Sequence, residues 1–510
     1  MDVEKQNGIK TLQVVILVLF LTTALAGCRE KAATDSVSDE ANADEDSLVI
    51  AMINEPTSFD PFFADSADTR SILFNIFEGL VKPTKDGELM PAVAESYETS
   101  DDAKTYTFVL RNDIKFHNEN LVTMDDVIYS VNQAIDAKVA GYDNIMSVEA
   151  MDENTIKIQL KEADNEFLPY LTTAIVPKDY TEQATKPIGT GPYKMEAFTE
   201  QQSLVMVKNK NYWQEGLPYL DKVTYKSVAD GAGALLELKA GTVDLLSVEY
   251  SVIQQLDSKE YSIEETSSNS VQLLALNNNY EPLKDIRVRQ AISYVVDSQE
   301  IMQTVNKGYA KRAGSPVIPA LAKLYDKSLD DSYKKDVGKA KQLMEQAGYP
   351  NGFDLKITVP SIYQVHIDTA QVIINQLKEI KINATIETVD WSTWLSNVYT
   401  DRQYEATVVS VDGKNITAKS YLGRYVSNAD NNFVNYHSTE YDDLYAAAVK
   451  EPDEIKRNDL YKQAQQLLSR DAASVYIEDI SRLYAFRTKF TGITNYPLYV
   501  LDLSTIRKSE

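Results

Sequence analysis

Residues 350–389 read PNGFDLKITVPSIYQVHIDTAQVIINQLKEIKINATIETV. Leu355–Val359 is a short strand-like run, Thr369–Ile380 sets Ile373, Leu377 and Ile380 at helical spacing, and Ala384–Val389 is strand-like again. Strand, helix and strand in that order read as a β-α-β crossover. Such a unit requires a parallel sheet with both faces covered, so the surrounding fold is expected to be α/β.

The same alternation recurs on either side. Ser47–Met52 reads as a first strand, and Tyr106–Leu110 and Thr155–Leu160 alternate apolar with polar residues. Leu204–Val207, Val271–Leu276 and Ala406–Val411 are further strand candidates. Between them, Asp336–Ala347 carries Val337, Ala340, Leu343, Met344 and Ala347 on one helical face, with Gly348 placed as its C-cap. Asp453–Arg470 repeats the pattern with Leu460, Ala464, Leu467 and Leu468. No internal repeat is visible.

The beginning of the chain has a different character. Lys5 and Lys10 lie in a short polar start, and Leu12–Ala26 is almost wholly apolar. A membrane-crossing helix needs about 20 such residues, so this run is short and reads as a secretory signal. Leu25-Ala26-Gly27-Cys28 resembles the lipobox of bacterial lipoproteins, which implies cleavage after residue 27 and a lipid on Cys28, the only cysteine in the chain. Stable anchoring takes two or more acyl chains, which such modification supplies. Residues 28–46 hold seven acids and two bases among the residues after the cysteine, and are expected to form a disordered leash.

Removing residues 1–27 from 510 leaves 483, too many for one ordinary core, so two or three lobes are expected. A net charge of −25 argues against a nucleic-acid partner, which calls for a basic face. No later stretch is long and apolar enough to be a second span. Enzyme chemistry finds little footing. His117, His366 and His437 are far apart, and neither H-E-x-x-H nor G-x-S-x-G is present. No catalytic residue, metal site or cofactor is assigned.

Several blocks resemble one family, the extracytoplasmic solute-binding proteins of peptide- and nickel-type ABC importers (family 5). Residues 91–131, PAVAESYETSDDAKTYTFVLRNDIKFHNENLVTMDDVIYSV, are similar to its "P-x-L-A-E-S-W", "T-F-x-L-R" and "K-F-H-D-G" pattern. Gly189-Thr-Gly-Pro-Tyr193, Lys208–Trp213, Ala240-Gly-Thr-Val-Asp244, Pro282–Ile292 and Ala347–Phe353 follow in the family's order. The resemblance implies a class II periplasmic-binding-protein clamshell with an extra inserted lobe, three lobes in all. Lobe I would comprise 47–73, 188–269 and 483–510, lobe II the insertion 74–187, and lobe III 270–482. It also implies a monomeric receptor on the outer face of the cytoplasmic membrane that carries a peptide to a permease and, through it, to cytoplasmic ATPase subunits. Gly189 and Gly191 read as turn residues, and Arg111, Arg287 and Arg289 as packing or salt-bridge residues.

In the family, an Asp after a lobe III strand, usually within "G-W-x-x-D", binds the ligand's ammonium. The matching position here is Asp412 in Ala406-Thr-Val-Val-Ser-Val-Asp-Gly413, without the Trp. Asp-Gly after a β run also fits a hairpin turn. Where the dipeptide branch carries a carboxylate-binding Arg, this chain has His366-Ile367-Asp368, which favours longer peptides over strict dipeptides. Trp391 and Trp394, Tyr363, Phe63, Ser66 and Ser270 complete the candidate ligand-binding set, the tryptophans also fitting a core pair. The same fold with a nickel-chelate, haem, opine or oligosaccharide ligand, a peptide-signal receptor and a secreted hydrolase are the alternatives.

Overall fold

The computed structural model describes residues 46–64, 66–413, 416–494 and 496–509. Cys28, the expected signal and most of the leash lie outside them. Asp46–Glu510 forms one compact unit built on three large sheets.

A seven-stranded sheet takes in Ser47–Met52, Lys222–Ser227, Ser203–Lys208, Tyr193–Thr199, Leu245–Val248, Arg482–Arg487 and Tyr261–Thr266. Its strands come from the start, middle and end of the chain. Arg482 already pairs with Thr266 in this sheet, one residue before the expected return to lobe I at 483. A four-stranded antiparallel sheet, Ala94–Thr99, Thr105–Leu110, Thr155–Leu160 and Ile145–Ala150, builds the insertion with the helix Met124–Asp136. Thr123 and Asp126 form a reciprocal capping box at that helix's start.

The six-stranded sheet contains the crossover. Asp354–Pro360 and Asn383–Val389 pair in parallel, joined by the helix Gln364–Leu377, which begins five residues before the expected Thr369. Residues 364–368 lack the strong apolar spacing that marks the rest of the helix. In Ser270–Leu276, Val271, Leu273 and Ala275 enter one core while Leu274 and Leu276 enter the other. Both faces are covered, which explains the unbroken apolar runs in this sheet. The helices Val337–Gln346 and Glu454–Arg470 are capped by Asp336 and Asp453, and Gly348 follows the first at φ +88°.

The two signature glycines mark a junction. A Cβ on Gly189 would lie 2.2 Å from the Ile76 carbonyl oxygen, and one on Gly191 would lie 2.6 Å from that of Asn75. Main chain therefore packs against main chain where residues 189–191 meet residues 75–76. Arg289 is buried and donates to the carbonyls of Leu283, Lys284, Asp471 and Ala472, while Arg111 lies over Trp213.

Candidate ligand-binding site

In the six-stranded sheet Asp354–Pro360, Asn383–Val389 and Ala406–Asp412 run parallel, and Ser270–Leu276 runs against them. Their C-terminal ends therefore share one edge with Ser270. In the seven-stranded sheet Ser47–Met52, Lys222–Ser227 and Leu245–Val248 also end at a common edge, where Arg482–Arg487 begins. The main chain passes between these edges at residues 267–269 and again at Ser481. Open α/β sheets bind ligands beyond the C-terminal ends of their strands, so the two edges and their crossings frame the site.

Side chains lock the crossings together. The Asp479 carboxylate accepts from Ser267 Oγ at 2.6 Å and from Ser268 N at 3.0 Å. Burial pushes this carboxyl up to about 6, against the pull of those donors. Asn269, at φ +60°, donates from Nδ2 to the Gly413 carbonyl at 2.8 Å and accepts from the Tyr421 hydroxyl. The crossing is thereby tied to the residue after Asp412.

Ser270 and Asp412 are register partners across adjacent strands. Asp412 is exposed, and its carbonyl accepts from Arg424 Nη2 at 2.8 Å. The next described element is the helix Ala418–Leu422, not a returning strand, so Asp412-Gly413 is no hairpin. Gly413 is required for another reason: a Cβ there would sit 2.3 Å from the Tyr421 ring.

Tyr363 and Trp391 lie at the same edge, just past Pro360 and Val389, with ring centroids 5.7 Å apart. Trp391 stacks on Trp394 at 5.1 Å, and Asp390 caps the turn that presents them. Hydrogen bonds from Ser392 and Thr393 hold the Asp390 carboxyl well below the usual range. Trp394 is buried and donates from Nε1 to Thr407 Oγ1 at 3.0 Å, so it belongs to the core and supports Trp391 from beneath. His366 is buried too, its Nδ1 2.8 Å from Gln272 Nε2, and burial lowers its pKa to about 4. On lobe I, Ser66 spends its hydroxyl capping the helix Ala67–Leu73, and Phe63 is exposed. Neither joins the lobe III group.

The lobe I edge instead contains a cavity of about 330 Å³ lined by Asn54, Asp68, Tyr225, Arg482, Tyr484 and Tyr499 among others. The Arg482 guanidinium carbon lies 3.3 Å from the Tyr499 ring centroid. Tyr499 donates its hydroxyl to Asp68 at 2.9 Å across 431 residues of sequence. No local pattern marks this cluster. The strand alternation of 482–487 was its one available signal, because it sets Arg482 and Tyr484 on one face.

This arrangement is a class II binding-protein clamshell with an inserted third lobe. Residues 88–433 match the bacterial extracellular solute-binding proteins, family 5 Middle, and the chain belongs to that family of ABC-type substrate-binding proteins. Heme-binding protein A of Haemophilus influenzae is 26% identical over 511 residues, covering 90% of this chain and 92% of that protein. Dipeptide-binding protein DppE of Bacillus subtilis is 26% identical, covering 97% and 98%. The structure of Helicobacter pylori DppA in complex with the peptide STSA is 25% identical with a TM-score of 0.71, covering 91% and 98%.

Proposed function

We propose that this chain is a lipid-anchored receptor that binds peptides between the two sheet edges and hands them to an ABC permease. The observation that carries the reading is Asp412: an exposed carboxylate beside Ser270, its main chain held by Arg424 and, through Gly413, by Asn269. A peptide's ammonium needs an opposite charge within hydrogen-bond reach once it leaves water, and Asp412 supplies one from a main chain that Arg424 holds. Tyr363 and Trp391 offer flat apolar surface to the side chains that follow. A relative named for dipeptide binding, and another solved in complex with the peptide STSA, support the peptide class. Ligand contacts on both lobes favour the closed form, which the permease reads. Cys28, in its lipobox-like setting, carries the anchor.

Native mass spectrometry of whatever co-purifies with the chain tests the ligand class. A ladder of peptides is expected, whereas haem, a metal chelate or a sugar overturns the reading. Asp412→Asn is expected to weaken free-amine peptides about 10- to 100-fold while leaving N-acetylated ones nearly unchanged. Equal losses for both in calorimetric titrations reject the ammonium role.

A further inference from the structure

The lobe I cavity holds a cation with one buried, unpartnered donor among the described residues, Arg482 Nη1. Arg482 lies against Tyr499, with Tyr484 at 5.0 Å from its guanidinium carbon. Asp68 Oδ1 is 3.8 Å from Nη2, within ion-pair range but beyond hydrogen-bond reach. That carboxylate is engaged elsewhere, accepting from Tyr499 and from Asn54 Nδ2 at 2.9 Å each. Nη1 is buried with no hydrogen-bond partner among the described residues. A guanidinium presents five donors in a fork matched to a carboxylate, and leaving them unmade in a protein interior is costly. Stacking on tyrosine fixes the plane of the fork without satisfying it.

We propose that Arg482 receives a carboxylate of the ligand in this cavity, with Asp68 and Tyr499 as the residues that position it. The proposal rests on the peptide reading and deepens it. The ligand then joins the lobes by opposite charges, its ammonium on Asp412 of lobe III and a carboxylate on Arg482 of lobe I. Arg482 is the first residue after the Ser481 crossing, so the contact falls on the strand about which the lobes turn. A terminal carboxylate and an acidic side chain share this chemistry and are told apart by which one must remain free.

The test uses the full-length chain in mild detergent and a thermal-shift panel. The panel contains tri- and tetrapeptides as free acids and C-terminal amides, each with and without an internal Glu, together with glutamate and succinate. Free acids are expected to bind about 10- to 100-fold more tightly than their amides. Arg482→Gln removes that difference and Arg482→Lys keeps part of it, since lysine retains the charge but not the fork. If an internal Glu restores binding of the amides, the side-chain carboxylate is the partner. Peptides that bind equally as acids and amides overturn the Arg482 assignment and leave the peptide reading standing. Glutamate or succinate stabilising the wild type but not Arg482→Gln, with no peptide bound, keeps the anion site and overturns the peptide reading. No stabilisation by any compound overturns both. Should Arg482→Gln misfold by circular dichroism, the acid-to-amide ratios of the wild type and Arg482→Lys decide alone.

Discussion

Gly413 shows how much of the site depends on one missing side chain. Its neighbour Tyr421 is buried and pinned by its hydroxyl to Asn269, so the ring has little freedom to yield. Placing a methyl 2.3 Å from that ring forces one of them to move. Gly413→Ala is therefore expected to cost about 1–3 kcal/mol, the usual range for overpacking, and to weaken ligand binding in parallel because Asn269 shifts with Tyr421. Denaturant melts and titration calorimetry on one preparation would measure both. Gly233→Ala serves as the contrast. It lies in the helix Gly231–Ala240 with only Asp230 Oδ1 nearby, at 3.5 Å, and should gain up to about 1 kcal/mol from helix propensity. A Gly413→Ala chain as stable as the wild type would mean that the Tyr421 packing is looser than the structure has it.

At the scale of elements, the turn after Val389 carries the aromatic wall of lobe III. Trp394 fixes it from inside through its bond to Thr407 and its stack with Trp391. Trp394→Ala should cost about 3–5 kcal/mol, as truncation of a buried tryptophan commonly does, whereas Trp391→Ala should cost far less and act on binding. Urea melts separate the two, and a Trp391→Ala chain as destabilised as Trp394→Ala would erase the division between support and surface. The elements themselves were legible wherever period and caps agree. Thr155–Leu160 and Thr105–Leu110 form as their alternation predicts, Ser47–Met52 forms the expected first strand, and Asp453 and Asp336 start their helices. The first turn of Gln364–Leu377 was hidden because Tyr363 offers no side-chain cap and His366 turns inward to Gln272 instead. The Asp68–Tyr499–Arg482 cluster was hidden for a different reason. Its members come from a helix, a loop and a strand that only the seven-stranded sheet assembles, and no local period records a contact across 431 residues. Ser270 and Asp412 were legible one at a time, while their pairing depends on strand register.

At the scale of the whole molecule, ionisable groups join segments that belong to different sheets. Lys419 of lobe III pairs with Asp164 of the insertion at 2.9 Å and gives its amide to Glu166 at 3.0 Å, while Glu478 accepts from Asn306 near the crossings. Burial raises Glu166 and Glu478 to about 7 and Asp479 to about 6. These carboxyls take up protons in the folded chain at a pH where the unfolded chain has released them. They therefore add stability as the pH falls from about 8 toward 6. His117 and His366 act in the opposite sense. Burial lowers both to about 4, so below about 6.5 the unfolded chain binds protons that the folded chain refuses, and stability is lost on further acidification. The three carboxyls outweigh the two histidines, so these groups make the melting temperature rise as the pH falls from 8 toward 5 in scanning calorimetry at constant ionic strength, the histidines offsetting part of the gain below about 6.5. Glu478→Gln should keep the bond to Asn306 and raise stability at pH 8 by about 1–2 kcal/mol, with little change at pH 5.5, which flattens the alkaline limb. A melting temperature that climbs steadily from pH 6.5 to 8 would show that these carboxyls reach water in solution. The crossings would then be looser, and the lobes freer to turn, than the buried Asp479 and Glu478 imply.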